Sequence, residues 1–250
     1  MEAKAEFMTQ VNDLYKFQAI QGHLGWDQET IMPAKGAEAR GEILAWLASQ
    51  RHEKLIDPNF GKVIAELENQ ETDEFLSANV KEMRRKYDEA VKIPTEFVAE
   101  FTKARSEALI AWQQARKESD FSLFSPHLEK LISMTREKID YLGCEDTPYD
   151  VLLDEYEVGM KVSDYDPLFA ELKERLVPLL SKIMQSGVVI PRLPESLVFT
   201  EKKQEKFCNE VSKAMGFDFE AGRMDISTHP FCAGLWPGDT RFTTRFDEKD

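Results

Sequence analysis

The 250 residues carry 32 lysines and arginines against 46 aspartates and glutamates, a formal charge of −14, which argues against nucleic acid or an anionic membrane as a partner. With 42% hydrophobic and 31% charged residues the composition is that of a folded chain, not a disordered one, and at this length roughly 70–75% of the unfolded surface can be buried. No apolar run reaches the ~18–20 residues of a membrane span, MEAKAEFMTQ has no hydrophobic leader core, and Cys144, Cys208 and Cys232 are too scattered for a disulfide framework or a cysteine metal site, so a reduced, cytoplasmic location is expected.

The first segment places Phe7, Val11, Leu14 and Phe17 on one helical stripe, predicted to end near Gly22 or Gly25. WDQETIMP then reads as a connector. Its Trp26, Asp27 and Glu29 fit either a carboxylate site or a loop with a packing tryptophan. Pro33 opens a second helical pattern to about Ile56. Asp57-Pro58 supplies an N-cap and a proline at the first helical position, followed by Val63, Ile64 and Leu67. Phe75, Leu76, Val80, Met83, Tyr87 and Val91 make the next helix. Its basic face, Lys81, Arg84, Arg85 and Lys86, reads as a solvated surface or a set of local salt-bridge partners.

Pro94 starts a helix whose Phe97, Phe101, Leu109 and Trp112 have core spacing. Ser125-Pro126 caps the following one, with Leu128, Leu131, Ile132 and Ile139 inward, His127 exposed or capping, and Gly143 as its stop. YDVLLDEYE after Thr147-Pro148 is acidic. Asp150, Asp154, Glu155 and Glu157 lack the alternating oxygen ligands and glycine of a calcium loop, so a structural role is expected. Asp166-Pro167 opens a longer helix through Leu168, Leu172 and Leu176. Pro178 removes a backbone donor within it and predicts a kink or two abutting helices. Gly187 ends that helix, Val188 to Pro194 is extended, and Thr200 caps a last helix with Phe207, Val211 and Met215, closed by Gly216.

Near the end the period changes from helical to two. Thr240, Phe242, Thr244 and Phe246 alternate with Arg241, Thr243 and Arg245 after the turn Pro237-Gly238-Asp239. Asp239, Arg241 and Thr243 then share one strand face. The fold class is therefore mainly α, a multi-helix domain with a small β element near its C-terminal end: residues 1–222 helical, residues 223–246 β-containing.

The chemistry is limited by what the sequence lacks. A helix-borne zinc site needs histidines at i, i+4. His23, His52, His127 and His229 are never so spaced, and there is no GxSxG elbow, GxxxxGK[ST] or GxGxxG. No catalytic residue and no metal ligand is assigned within this span.

His229-Pro230-Phe231 followed by Asp239-x-Arg241-x-Thr243 resembles the paired HPF and DxRxT motifs of the carboxypeptidase Taq family of metallocarboxypeptidases. Either tripeptide-sized pattern alone is weak, but the two in order within DISTHPFCxGxxPGDxRxTTRFDE are specific. The likeness extends to GWDQETIMPAKGAEAR (Gly25 to Arg40) and YDVLLDEYEVGM (Tyr149 to Met160), and so across essentially the whole chain. The resemblance implies that residues 1–250 are the N-terminal half of a larger grooved helical metallopeptidase, with HExxH expected shortly beyond residue 250. It further implies removal of single C-terminal residues from peptides, zinc or cobalt as the metal of the complete enzyme, and a homodimer. His229, Phe231, Asp239, Arg241 and Thr243 are the expected substrate-binding residues, with Arg241 the best candidate for polar recognition because guanidinium donates a planar fork of hydrogen bonds. The competing reading is a non-catalytic helical module that binds peptides or proteins with the same wall.

Overall fold

The computed structural model describes residues 2–70, 73–189, 191 and 197–248. Its elements in order are α1 (Glu2–Thr30), α2 (Ala37–Leu55), α3 (Pro58–Glu68), α4 (Glu74–Ala90), α5 (Thr95–Glu118), α6 (Ser125–Leu142), α7 (Pro148–Leu153), α8 (Val162–Gln185), α9 (Glu201–Ala214), β1 (Gly222–Ile226), β2 (Cys232–Trp236) and β3 (Asp239–Thr244). Helix thus dominates, with one small sheet near the C-terminal end, as the change of period implies. Among the described residues no helix is long and apolar enough to cross a membrane. The chain forms two compact units, residues 1–134 with 200–248, and residues 135–199.

In the first unit, α1, α3 and α4 enclose the main core. Phe7, Val11 and Leu14 meet Phe60, Ile64 and Leu67 of α3 and Leu76, Val80 and Met83 of α4, with the rings of Phe7 and Phe60 stacked at 6.0 Å. The expected Asp57 cap accepts from the Asn59 amide at 2.8 Å, and Asp73, which the sequence reading did not single out, caps α4 by accepting from the Leu76 amide at 2.8 Å; Thr200 stands at the N-cap of α9 without a side-chain capping bond. α2 and α5 approach closely because small residues line their contact. A Cβ on Gly41 would stand 3.5 Å from Ser106 Oγ, and Ala104 and Ala108 are buried beside it. The basic face of α4 is a salt-bridge surface: Arg84 pairs with Glu68 and Asp88, Arg85 with Glu82 and Glu89, and Lys86 with Glu82. Phe75 and Val91, expected inside that helix's apolar face, lie at its ends and are exposed.

The principal difference from the sequence reading is the length of α1. It runs unbroken through Gly22 and Gly25 to Thr30, so WDQET is helix and not connector. Gly22 serves packing instead of termination: a Cβ there would lie 2.8 Å from Leu235 Cδ2 on β2. The glycine lets the sheet settle onto the helix.

The sheet has three strands where one was evident, in the order β1-β3-β2, with β1 parallel and β2 antiparallel to β3. Pro237 and Gly238 make the tight β2–β3 turn, Gly238 taking φ 85° as the third position of a proline-led turn requires. Phe242 packs edge-on against Phe217, ring centroids 4.9 Å apart.

The second unit contains the end of α6, then α7 and α8. Its acidic stretch is structural: Asp150 accepts from the Val162 amide at 2.8 Å, Asp154 from the Gly159 amide at 2.7 Å, and Glu155 pairs with Lys138. Ile139 of α6 is buried, whereas Ile132, expected inward, is 44% exposed and Met134 takes the buried position. α8 begins at Val162, ahead of Asp166-Pro167, and continues through Pro178 as one helix. Its Leu168, Leu172 and Leu176 are exposed, as are Phe207 and Met215 at α9. Val188, Val189 and Pro191 lie outside regular structure. The rest of the expected extended stretch, Ile190 and residues 192–194, falls outside the described residues.

Candidate functional site

Alternation on β3 puts Asp239 and Arg241 side by side, and the pair is bidentate: Arg241 Nε donates to Asp239 Oδ1 at 2.8 Å and Nη2 to Oδ2 at 2.9 Å. Nη1 has no hydrogen-bond partner among the described residues. The guanidinium carbon lies 4.1 Å from the centroid of the Trp26 ring, close enough for a cation–π attraction. Trp26 itself is 5% exposed, a fixed platform on α1. His23, one turn earlier on the same helix, reaches Asp239 Oδ2 through Nε2 at 2.8 Å, while its Nδ1 lies 2.9 Å from the Ala19 carbonyl. Both partners are acceptors, so the ring satisfies both only when each nitrogen carries a hydrogen. The Arg241 hydrogen bond, and secondarily that of His23, holds the Asp239 carboxyl down at about 2. Next to this pair Arg223 of β1 forms the same kind of fork with Asp225 and lies 5.1 Å from the Trp26 ring centroid.

Thr243, two residues beyond Arg241, is buried and plays a different part. Its Oγ1 accepts from the Phe231 amide at 2.9 Å and lies 2.6 Å from Ser227 Oγ; the Thr243 amide donates to the Phe231 carbonyl at 2.8 Å. Ser227 in turn donates to the His229 carbonyl at 2.8 Å. The loop carrying His229-Pro230-Phe231 is therefore locked onto β3 by the threonine of the second motif. His229 is exposed, with its ring edge-on to Trp112 of α5 at 6.4 Å.

Two cavities of about 680 Å³ share Gln28 and Glu29 of α1. One is walled by Gly22 and Gly25, next to His23 and Trp26, and by Leu44, Leu109, Trp112 and Phe124. The other is more polar and includes Ser227 and Thr228. Burial pushes the Glu29 carboxyl above the usual carboxylate range, against a counteracting pull from His229. Asp27, by contrast, is tied down by Arg40 Nη2 at 2.6 Å. The WDQE stretch is thus both of the things it could be: Trp26 packs and Asp27 is structural, while Glu29 faces open space.

The carboxypeptidase Taq (M32) metallopeptidase model matches residues 6–250. The chain belongs to the carboxypeptidase Taq family. It is 38% identical over 240 residues to thermostable carboxypeptidase 1 of Thermus thermophilus, covering 89% of this chain and 46% of that protein. It is 36% identical over 253 residues to carboxypeptidase 1 of Bacillus subtilis, covering 98% and 49%. Among solved structures, one described as the BsuCP crystal structure superposes with a TM-score of 0.97 at 34% identity, and a Pyrococcus furiosus carboxypeptidase with 0.85 at 32%; each covers all of this chain and 51% of the other. The chain spans about half the length of the relatives it matches. The mainly helical fold with its small sheet is the fold of the family.

Of the five expected site residues, the structure joins Asp239 to Arg241 directly, and Thr243 to the backbone of Phe231 and, through Ser227, to that of His229. It does not join Arg241 to Thr243. His23 and Arg223 were not foreseen. His23 comes from the first helix, far off in sequence, and Arg223 from β1, where it pairs in register with Arg241. Among the described residues no three His, Cys, Asp or Glu side chains gather into a group that could hold a metal.

Proposed function

We propose that this chain supplies the substrate-binding wall of a metal-dependent carboxypeptidase that removes single C-terminal residues from peptides, while the metal ligands, for zinc or cobalt, come from sequence outside these 250 residues. The observation that carries the reading is the physical coupling of the two motifs. Thr243 fixes the His229-Pro230-Phe231 loop, and the neighbouring Asp239–Arg241 pair is seated on Trp26. An arginine so held keeps its outer N–H groups for a polar atom of the peptide and loses little freedom when it binds. Asp239 and His23 orient it, Phe231 and Trp112 shape the wall, and His229 offers a donor at the cleft's edge. We further propose that the working assembly is a homodimer and that residues 1–250 act as one half of a single metallopeptidase domain. The exposed apolar face of α8, including Leu172 and Leu176, is a surface that half alone leaves uncovered.

The test is release of the C-terminal residue from a blocked dipeptide, with zinc or cobalt supplied. The 250-residue chain alone should be inactive, and a polypeptide extended to the length of the relatives active. Hydrolysis by the short chain would overturn the division of labour. A folded, metal-loaded, extended polypeptide that binds peptides without cleaving them would favour the binding module.

A further inference from the structure

The more polar cavity has a charge that sets it apart from the rest of the molecule. Arg116 and Lys117 at the end of α5 and Arg245 just after β3 all line it, and none has an acidic partner among the described residues. Arg116 lies over the ring of Trp112, 5.6 Å from its centroid, the same ring that His229 meets edge-on. The groove is thus continuous with the loop of the first motif. Gln113, Ser227 and Thr228 add hydrogen-bonding groups. The one acid in the lining is Glu29, and burial favours its neutral form. A chain of net charge −14 therefore presents a locally cationic groove of about 680 Å³, a size typical of ligand clefts.

We propose that this groove is a subsite for carboxylate side chains of the bound peptide, read by Arg116, Lys117 and Arg245. This rests on the carboxypeptidase reading for its ligand being a peptide and deepens it by naming the substrate class: peptides bearing aspartate or glutamate. The three cations stand on different elements, so an extended acidic segment can meet more than one of them.

The experiment is fluorescence anisotropy of a short labelled glutamate-rich peptide and of its glutamine counterpart, titrated with the chain at low and at moderate salt. The acidic peptide should bind more tightly, and the difference should shrink as salt screens the exposed charges. Replacing all three cations (Arg116→Gln, Lys117→Gln, Arg245→Gln) should weaken acidic-peptide binding roughly tenfold, since each exposed ion pair contributes on the order of two- to fivefold. Arg245→Gln alone, at an exposed position beyond the strand, serves where the triple variant fails to keep its helical circular dichroism. Equal binding of the two peptides, or binding indifferent to these substitutions, would overturn the proposal. So would displacement by inorganic phosphate as effective as displacement by unlabelled acidic peptide. Hydrolysis is not read in this assay. Failure of the subsite therefore leaves the carboxypeptidase reading intact, and absence of hydrolysis in the extended polypeptide leaves this binding result to stand or fall separately.

Discussion

Replacing Arg241 by glutamine removes two things at once, the fork onto Asp239 and the cation above Trp26. The size of the effect follows from the Asp239 carboxyl, which is lowered from 3.8 to about 2. At about 1.4 kcal/mol per pH unit this corresponds to roughly 2 kcal/mol for all causes together. His23 keeps part of it, and the Asp239 side chain is 31% exposed, so solvent screening reduces the share lost with Arg241 to roughly 1 kcal/mol. Loss of the contact with Trp26 adds about 0.5–1 kcal/mol. The expected destabilisation at neutral pH is therefore roughly 1.5–2 kcal/mol, measured as a shift in urea unfolding. The sign in acid is fixed as well. A carboxyl depressed in the folded state contributes stability above its unfolded value near 3.8, and that contribution disappears as the pH falls toward 2. The gap between the parent and Arg241→Gln curves should narrow over that interval to the share of the Trp26 contact, and the Asp239 carboxyl, followed by NMR, should move up toward its ordinary value. A destabilisation below about 0.3 kcal/mol, or an Asp239 titration unchanged by the substitution, would refute the reasoning.

Thr243→Val keeps the side-chain shape but leaves the Phe231 amide without its side-chain acceptor, and should cost about 1–3 kcal/mol; faster hydrogen exchange at Phe231 and its neighbours is the check, and unchanged protection would mean the loop is held by other contacts. His52 is buried between Thr95 Oγ1 at 2.9 Å and the Ala90 carbonyl at 3.1 Å, and burial pushes its pKa down. The folded state therefore takes up that proton less readily than the unfolded one, so stability should fall as the pH drops below about 6.5. His52→Gln should flatten this part of the pH profile.

Much of the helical framework was legible because its determinants are local. The Asp57 cap and the stripes that bury Phe7, Ile64 and Val80 are set by residues within a few turns of one another. The errors share a different cause. Gly22 reads as a helix stop until Leu235, more than two hundred residues later, is seen to need its space. The flanking strands lack the clean alternation of β3: β1 is edge-like with Gly222 at its start, and β2 is short and glycine-containing, so only tertiary pairing reveals them. Leu168, Leu172 and Leu176 have the spacing of a buried face yet are exposed, because an apolar stripe states that a helix needs a partner and not where the partner lies. In the site, Asp239 and Arg241 were visible from strand alternation, whereas His23 and Trp26 reach them from the first helix across the whole length of the chain. The division of the second motif into Arg241, paired with Asp239 over Trp26, and Thr243, the lock on the first motif, could not be read from DxRxT, which places both on one face.

The most direct measurement is kcat/KM for short peptides in the polypeptide extended to the length of the relatives, comparing the parent with Arg241→Ala and determining bound metal in both. If Arg241 belongs to the substrate wall, one lost charge-assisted hydrogen bond lowers kcat/KM on the order of ten- to a hundredfold, with metal content and fold unchanged. Unaltered kcat/KM in a folded, metal-loaded Arg241→Ala variant would contradict the assignment of this chain as the substrate-binding half.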